Sequence, residues 1–306
     1  MADLRNPYET TSGPAPGGPE ASLQVPTGRV IGIGEILALT FRIAGRGWAE
    51  FLIVGVVLGA ALLGAYAFAF THALDLLETI PFSELADQSD PPMDLLRDLA
   101  LDLAPVLAAV VLGGALLIAY YSLFVTLRTD QIQSGAGTVD EALQRALTRL
   151  PIYCLVWIPA ALMQTIGLVF CLIPGFILGL IFSFLTAIVA LEGLGFGALG
   201  RAFNRASVTL LTNAFVMYAI IYSCGTGANY AMGIPLQMLL EYGGPIFPDT
   251  GNSLESVLGM LRDPKLLLLF VPTLLVMFAT QTLYNVAAVI MWRNDASLAI
   301  GSPVQI

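Results

Sequence analysis

Six separate stretches of this chain are each long and apolar enough to cross a lipid bilayer, and that repetition leaves few folds open. A helix crosses a hydrocarbon core of roughly 30 Å with about 20 apolar residues. The windows that meet this rule are 51–70, 105–126, 151–173, 175–191, 213–233 and 266–292. Composition agrees: 57% of residues are hydrophobic, only 11% are charged, and the mean hydropathy is +0.81. A water-soluble domain of that kind would expose a very large apolar patch. The pattern predicts an all-α fold, a polytopic membrane bundle of about six transmembrane helices arranged as three hairpins. The third and fourth windows are separated only by Ile173-Pro174-Gly175, a turn signal in an otherwise continuous apolar run. In the fifth, helix-compatible sequence continues from Ser207 to Leu240 and Gly225-Thr226-Gly227 interrupts it. A kinked span reaching beyond the lipid is expected there, with a re-entrant break as the alternative.

Charge sets the orientation, because Lys and Arg resist translocation. One side of the span map carries Arg5, Arg29, Arg42, Arg46, Arg128, Arg145, Arg149, Arg201, Arg205 and Arg293. The other has only Arg97, Arg262 and Lys265, and collects Asp75, Glu78, Glu84, Asp87, Asp90, Asp94, Asp98 and Asp102, then Glu241, Asp249, Glu255 and Asp263. Both termini are therefore expected in the cytoplasm. Residues 1–28 are rich in Pro, Gly, Ser and Thr without a signal-peptide core and read as a disordered cytoplasmic tail. Residues 29–293 form the membrane domain, and 294–306 a short cytoplasmic tail. With no basic stripe, nucleic acid is not an expected partner.

Short segments of mixed apolar and basic character precede the outgoing spans. Glu141-Ala-Leu-Gln-Arg-Ala-Leu-Thr-Arg149 and Gly197-Ala-Leu-Gly-Arg-Ala-Phe-Asn-Arg205 share the pattern A-L-x-R-A-[LF]-x-R, and Glu35 to Arg42 is a degenerate third copy. This suggests three units, each an interfacial amphipathic helix followed by a hairpin. Arg42 with Arg46, Arg145 with Arg149, and Arg201 with Arg205 are each four apart, which puts both guanidinium groups on one helix face. Such pairs suit anionic lipid headgroups, a phosphate-bearing ligand or a partner subunit. The alternative reading is that they are ordinary positive-inside anchors.

Chemistry at bilayer depth usually announces itself through ionisable groups, because their cost is retained only for function. No window has one near its centre. Glu50 and Glu192 sit at cytoplasmic span ends, where a solvated or arginine-paired carboxylate is the ordinary reading. His72, the single histidine, has no ligand-spaced partners, so no metal is expected. Cys154, Cys171 and Cys224 read as small buried hydrophobes. The intramembrane amides are Gln164, Asn213, Asn229, Gln281 and Asn285, of which Gln281 and Asn285 share a face. They either line a polar path or, as neutral amides more often do, hydrogen-bond neighbouring helices. The Gly55-xxx-Gly59 and Gly175-xxx-Gly179 pairs fit close helix approach. No catalytic residues and no cofactor are indicated.

The order Glu141-Ala142-Leu143, Ile173-Pro174-Gly175, Leu191-Glu192-Gly193 and Ala198-Leu199-Gly200-Arg201-Ala202 resembles the membrane domain associated with glycerophosphoryl diester phosphodiesterases and its stand-alone bacterial relatives. The marks cover about the middle quarter of the chain, and Ala202 stands where that family often has Ser. The resemblance implies a six-span module of the bacterial cytoplasmic membrane. The phosphodiesterase barrel that accompanies it in fusions has no counterpart here, so its activity is not carried over. The expected function is a non-catalytic membrane module that binds lipid, or a partner as an accessory subunit or homo-oligomer. The alternatives are a transporter or lipid permease and, behind it, a membrane-embedded enzyme.

Overall fold

A computed structural model describes residues 23–78, 93–242 and 270–301, and among these it contains helices and no strand. In chain order the helices are α1 (Ile33–Arg46), α2 (Trp48–Glu78), α3 (Met93–Ser134), α4 (Val139–Phe170), α5 (Leu172–Phe182), α6 (Gly197–Asn204), α7 (Val208–Tyr242) and α8 (Phe270–Gly301). Six stretches are long and apolar enough to cross a membrane: Trp48–Leu76, Leu101–Ser134, Val139–Phe170, Leu172–Glu192, Val208–Ala231 and Val271–Ser297. The chain is a multi-pass integral membrane protein of all-α fold.

The amphipathic segments take two forms. α1 buries Ile36, Leu39, Thr40 and Ile43 and turns Arg42 and Arg46 outward. α6 likewise buries Ala198 and Ala202. The middle segment is no separate helix: Thr138 caps the N–H of Glu141, and α4 then runs unbroken through Pro151 and Pro159. Its 32 residues span about 48 Å at 1.5 Å each, so its first turns extend beyond the hydrocarbon.

The hairpin between the third and fourth spans turns ahead of Ile173-Pro174-Gly175, two residues before its first member. Cys171 is the extended corner, and Pro174 falls in the first turn of α5, where a missing N–H leaves no intrahelical bond unmade. A Cβ on Gly175 would overlap the backbone of Leu168, and one on Gly179 would come within 2.8 Å of the Gln164 amide. The fourth span is irregular: after α5 come a turn at Ser183 and Phe184, a short helical stretch Leu185–Ala187, and a π-helix Ile188–Glu192. The fifth is continuous through Gly225-Thr226-Gly227, with no re-entrant break. Gly225 instead allows α7 to approach Thr280 of α8.

Every described arginine of the basic set lies at one end of the bundle, where α2, α4 and α7 begin and α3 and α8 finish. The packed core sits towards this basic end: Tyr121 to Leu127, Ile181 to Ala190 and Asn285 to Trp292 are buried runs. α8 is the central helix, packing against α1, α2, α3 and α7. At the other end Asp94, Asp98 and Asp102 belong to α3 itself, and Glu241 to α7. Residues 1–22 of the expected tail, Glu84, Asp87, Asp90, Asp249, Glu255, Arg262, Asp263 and Lys265 lie outside the described residues. Cys171 and Cys224 face outward from the bundle instead of into its core, as small apolar groups can in lipid.

Candidate functional site: the polar layer at the basic end

The Leu191-Glu192-Gly193 segment ends the fourth span, and three side chains converge on it while a fourth packs on one of these. Gly193 adopts a left-handed conformation, φ 70°, which closes the helix and which a side chain would strain. A Cβ there would also overlap the Arg149 guanidinium. Arg149 Nη1 donates to the Val189 carbonyl at 2.9 Å, satisfying a C-terminal acceptor and placing positive charge at the negative end of the helix dipole. Glu192 accepts from Arg201 Nε at 3.1 Å and from Trp292 Nε1 at 3.1 Å. The Arg205 guanidinium lies over the Trp292 ring, 4.8 Å from its centroid, in cation–π geometry. One carboxylate thus ties α6 and α8 to the end of the fourth span.

Further ion pairs complete the layer. Glu50 at the start of α2 receives Arg128 Nε at 2.5 Å and Nη2 at 2.9 Å, a bidentate pair linking the first two spans. Arg293 pairs with Asp130, joining α8 to α3. Asn294 donates to the carbonyls of Pro26 and Arg29 at 3.1 and 2.9 Å and accepts from the Ile31 N–H, strapping the segment before α1 onto the end of α8. Both carboxylates singled out in the sequence, Glu50 and Glu192, are arginine-paired.

No protein-family model, curated protein or solved structure matches the chain. The assignment of roles therefore rests on this geometry. The six paired arginines divide three and three. Arg149, Arg201 and Arg205 are drawn into the Glu192 and Trp292 assembly, while Arg42, Arg46 and Arg145 are exposed. Sequence reasoning missed Trp292 and Asp130, because their partners lie 100 and 163 residues away. The available signal was an indole or a carboxylate at a span end opposite a cluster of arginines.

The intramembrane amides do not converge. Gln281 donates to Ser122 Oγ at 2.9 Å across the α8–α3 contact, and Asn285 donates to the Gln281 carbonyl of its own helix at 2.8 Å. Gln164 is half-buried against Gly179, Asn213 borders a cavity at the basic end, and Asn229 is exposed on the outside of α7. Tyr121 adds a second tie, its hydroxyl sharing a hydrogen bond of 2.7 Å with Thr282 and donating to the Phe51 carbonyl at 3.1 Å. His72 stacks on Phe68, and among the described residues no group of three His, Cys, Asp or Glu is placed to hold a metal. Two cavities among the described residues bear on function. One, of about 260 Å³, is apolar and lies between α2 and α8 under the α1–α2 corner. The other, of about 230 Å³, lies between the segment before α1, the start of α7 and the end of α8.

Proposed function

We propose that this chain is a non-catalytic module of the bacterial cytoplasmic membrane, with its basic end and both termini in the cytoplasm, that binds anionic lipid through Arg42, Arg46 and Arg145. The observation that carries this is the division of the arginines. Three belong to the polar layer, and Arg42 and Arg145, with Arg46 exposed beside Arg42, present their side chains at the surface of helices that reach the membrane boundary. An exposed guanidinium there offers bidentate contacts to a phosphate, about 1 kcal/mol each near an anionic surface. The resemblance to the phosphodiesterase-associated membrane domain is part of the proposal. Under it, the Glu192-Gly193 and Arg201 marks are structural: they close the fourth span and pin α6 to it.

The test is native mass spectrometry of the protein extracted gently from bilayers of phosphatidylethanolamine and phosphatidylglycerol. Replacing Arg42 and Arg145 by Gln should lower the preference for phosphatidylglycerol while leaving thermal stability unchanged, and adding Arg46→Gln should remove that preference. An undiminished preference would sink the lipid reading. A partner chain or second copy retained by the wild type and lost in the variant would replace it with a subunit interface.

A permease reading draws on the irregular fourth span, since broken helices line transport paths in other membrane proteins. Against it, Ile181 to Ala190 are buried in protein, and neither cavity includes a residue of that segment. Asn229, Gln281 and Asn285 likewise line neither of these two cavities.

A further inference from the structure

The cavity between α2 and α8 owes its shape to a few residues. Gly55 and Gly59 let α2 touch Phe278 of α8, since a Cβ at either would lie 3.3 or 3.2 Å from that side chain. Beyond this contact, towards the basic end, Gly55, Ala44 and Ala279 leave a recess between helices otherwise lined with larger groups. Its back wall is firm. Phe51, Tyr121 and Phe278 are 3%, 1% and 5% exposed, the Tyr121 and Phe278 rings meet edge to face at 4.8 Å, and the Tyr121 hydroxyl is anchored on Thr282 and Phe51. Such a wall cannot swing in to fill the space.

Both walls are membrane-spanning helices, so what meets the opening is hydrocarbon. On α2 the lining runs from Trp48 to Val56, about 12 Å at 1.5 Å per residue, within the roughly 15 Å depth of one leaflet's hydrocarbon. The volume of about 260 Å³ lies just below the usual range for drug-sized ligands and is too small to take in a helix about 10 Å across. Its roof is the last turn of α1, which supplies Ala44 to the cavity and carries Arg42 and Arg46 exposed on its surface. Trp48, 62% exposed, stands at the same level, where tryptophans favour the membrane interface.

We infer that this recess is an acyl-chain site: it holds one fatty-acyl chain of an anionic phospholipid from the leaflet at the basic end, with the headgroup at the level of the α1 arginines. The chain gains contact with protein on three sides, which a lipid on a convex helix surface does not, so this lipid exchanges more slowly than its neighbours. The inference rests on the lipid-binding reading and adds to it the part of the lipid that is recognised.

The experiment uses the full chain in bilayers of phosphatidylethanolamine and phosphatidylglycerol, extracted in mild detergent and weighed by native mass spectrometry. Ala279→Trp and, on the opposite wall, Leu52→Trp fill the recess from exposed positions; Ala219→Trp adds the same bulk on the outer face of α7. The wild type should keep one lipid more firmly than the rest. Either filling variant that remains folded should lower that adduct about tenfold, the equivalent of about two buried methylenes, and Ala219→Trp should not. Replacing Arg42 and Arg46 by Gln should keep the adduct but abolish its preference for phosphatidylglycerol. An adduct unchanged in both filling variants overturns the acyl-chain site, and the lipid reading then stands or falls on the arginine variants alone. A wild type that retains no lipid overturns both.

Discussion

Replacing Glu192 by Ala should loosen the whole basic end, and the structure sets the size of the effect. Trp292 is 1% exposed and its indole N–H donates at 3.1 Å to a carboxylate whose side chain is 11% exposed. A hydrogen bond to a charged acceptor in such a setting contributes about 1.5–3 kcal/mol. The Arg201 side chain is 40% exposed, so solvent limits its ion pair to about 1 kcal/mol or less. The expected loss for Glu192→Ala is therefore about 3 kcal/mol, most of it through Trp292. At roughly 2 °C per kcal/mol for a chain of this size, the apparent Tm falls by about 6 °C. Four proteins, wild type, Glu192→Ala, Trp292→Phe and the double variant, are melted in the same detergent at one scan rate to give a double-mutant cycle. The predicted coupling between the two residues is about 2 kcal/mol. Coupling below about 0.5 kcal/mol would mean that the indole does not depend on this carboxylate. Arg201→Gln costing more than Glu192→Ala would equally refute the reasoning, because the exposed pair would then outweigh the buried bond.

Three further outcomes are expected. Gly175→Ala forces a methyl group into the backbone of Leu168, so a loss above about 3 kcal/mol should appear as aggregated protein on gel filtration; a monodisperse variant would show that the hairpin can spread. Gly225→Ala brings a Cβ within 2.5 Å of Thr280 Oγ1 and should destabilise by about 1–2 kcal/mol, with Thr280→Ala restoring most of it in a thermal melt; failure of the rescue would move the cause elsewhere on α7. In a variant with its three native cysteines replaced, Ser134→Cys at the basic end should resist an impermeant thiol reagent applied to intact cells, and Thr71→Cys should react. The opposite labelling would reverse the orientation.

Much of this architecture is legible in the sequence because the bilayer is a simple selector. Length and apolarity alone locate six crossings, and the alternation of basic and acidic segments groups the arginines at one end. Local chemistry extends that reading: Thr138 ahead of Glu141 starts α4, and Gly193 stops the fourth span. The details that fail are those in which neighbours compete. Ile173-Pro174-Gly175 looks like the turn, yet proline is tolerated in a helix's first turn, so the corner falls at Cys171. Gly225-Thr226-Gly227 looks like a break, yet in lipid a helix keeps its backbone bonds, and the glycine serves close packing against Thr280.

The arginine pairs mark the boundary between the two kinds of information. Spacing of four places each pair on one helix face, and sequence can say that much because the helix repeat is local. Whether a guanidinium then meets a phosphate, a carboxylate or an indole depends on what the packing of other helices brings to it. Arg201 finds Glu192 nine residues away, but the second half of that site is Trp292, a hundred residues further on. The recess between α2 and α8 is likewise a property of two helices and the glycines at their contact. Membrane insertion is decided segment by segment through transfer of apolar surface, whereas pairing and cavities arise only when the segments pack side by side.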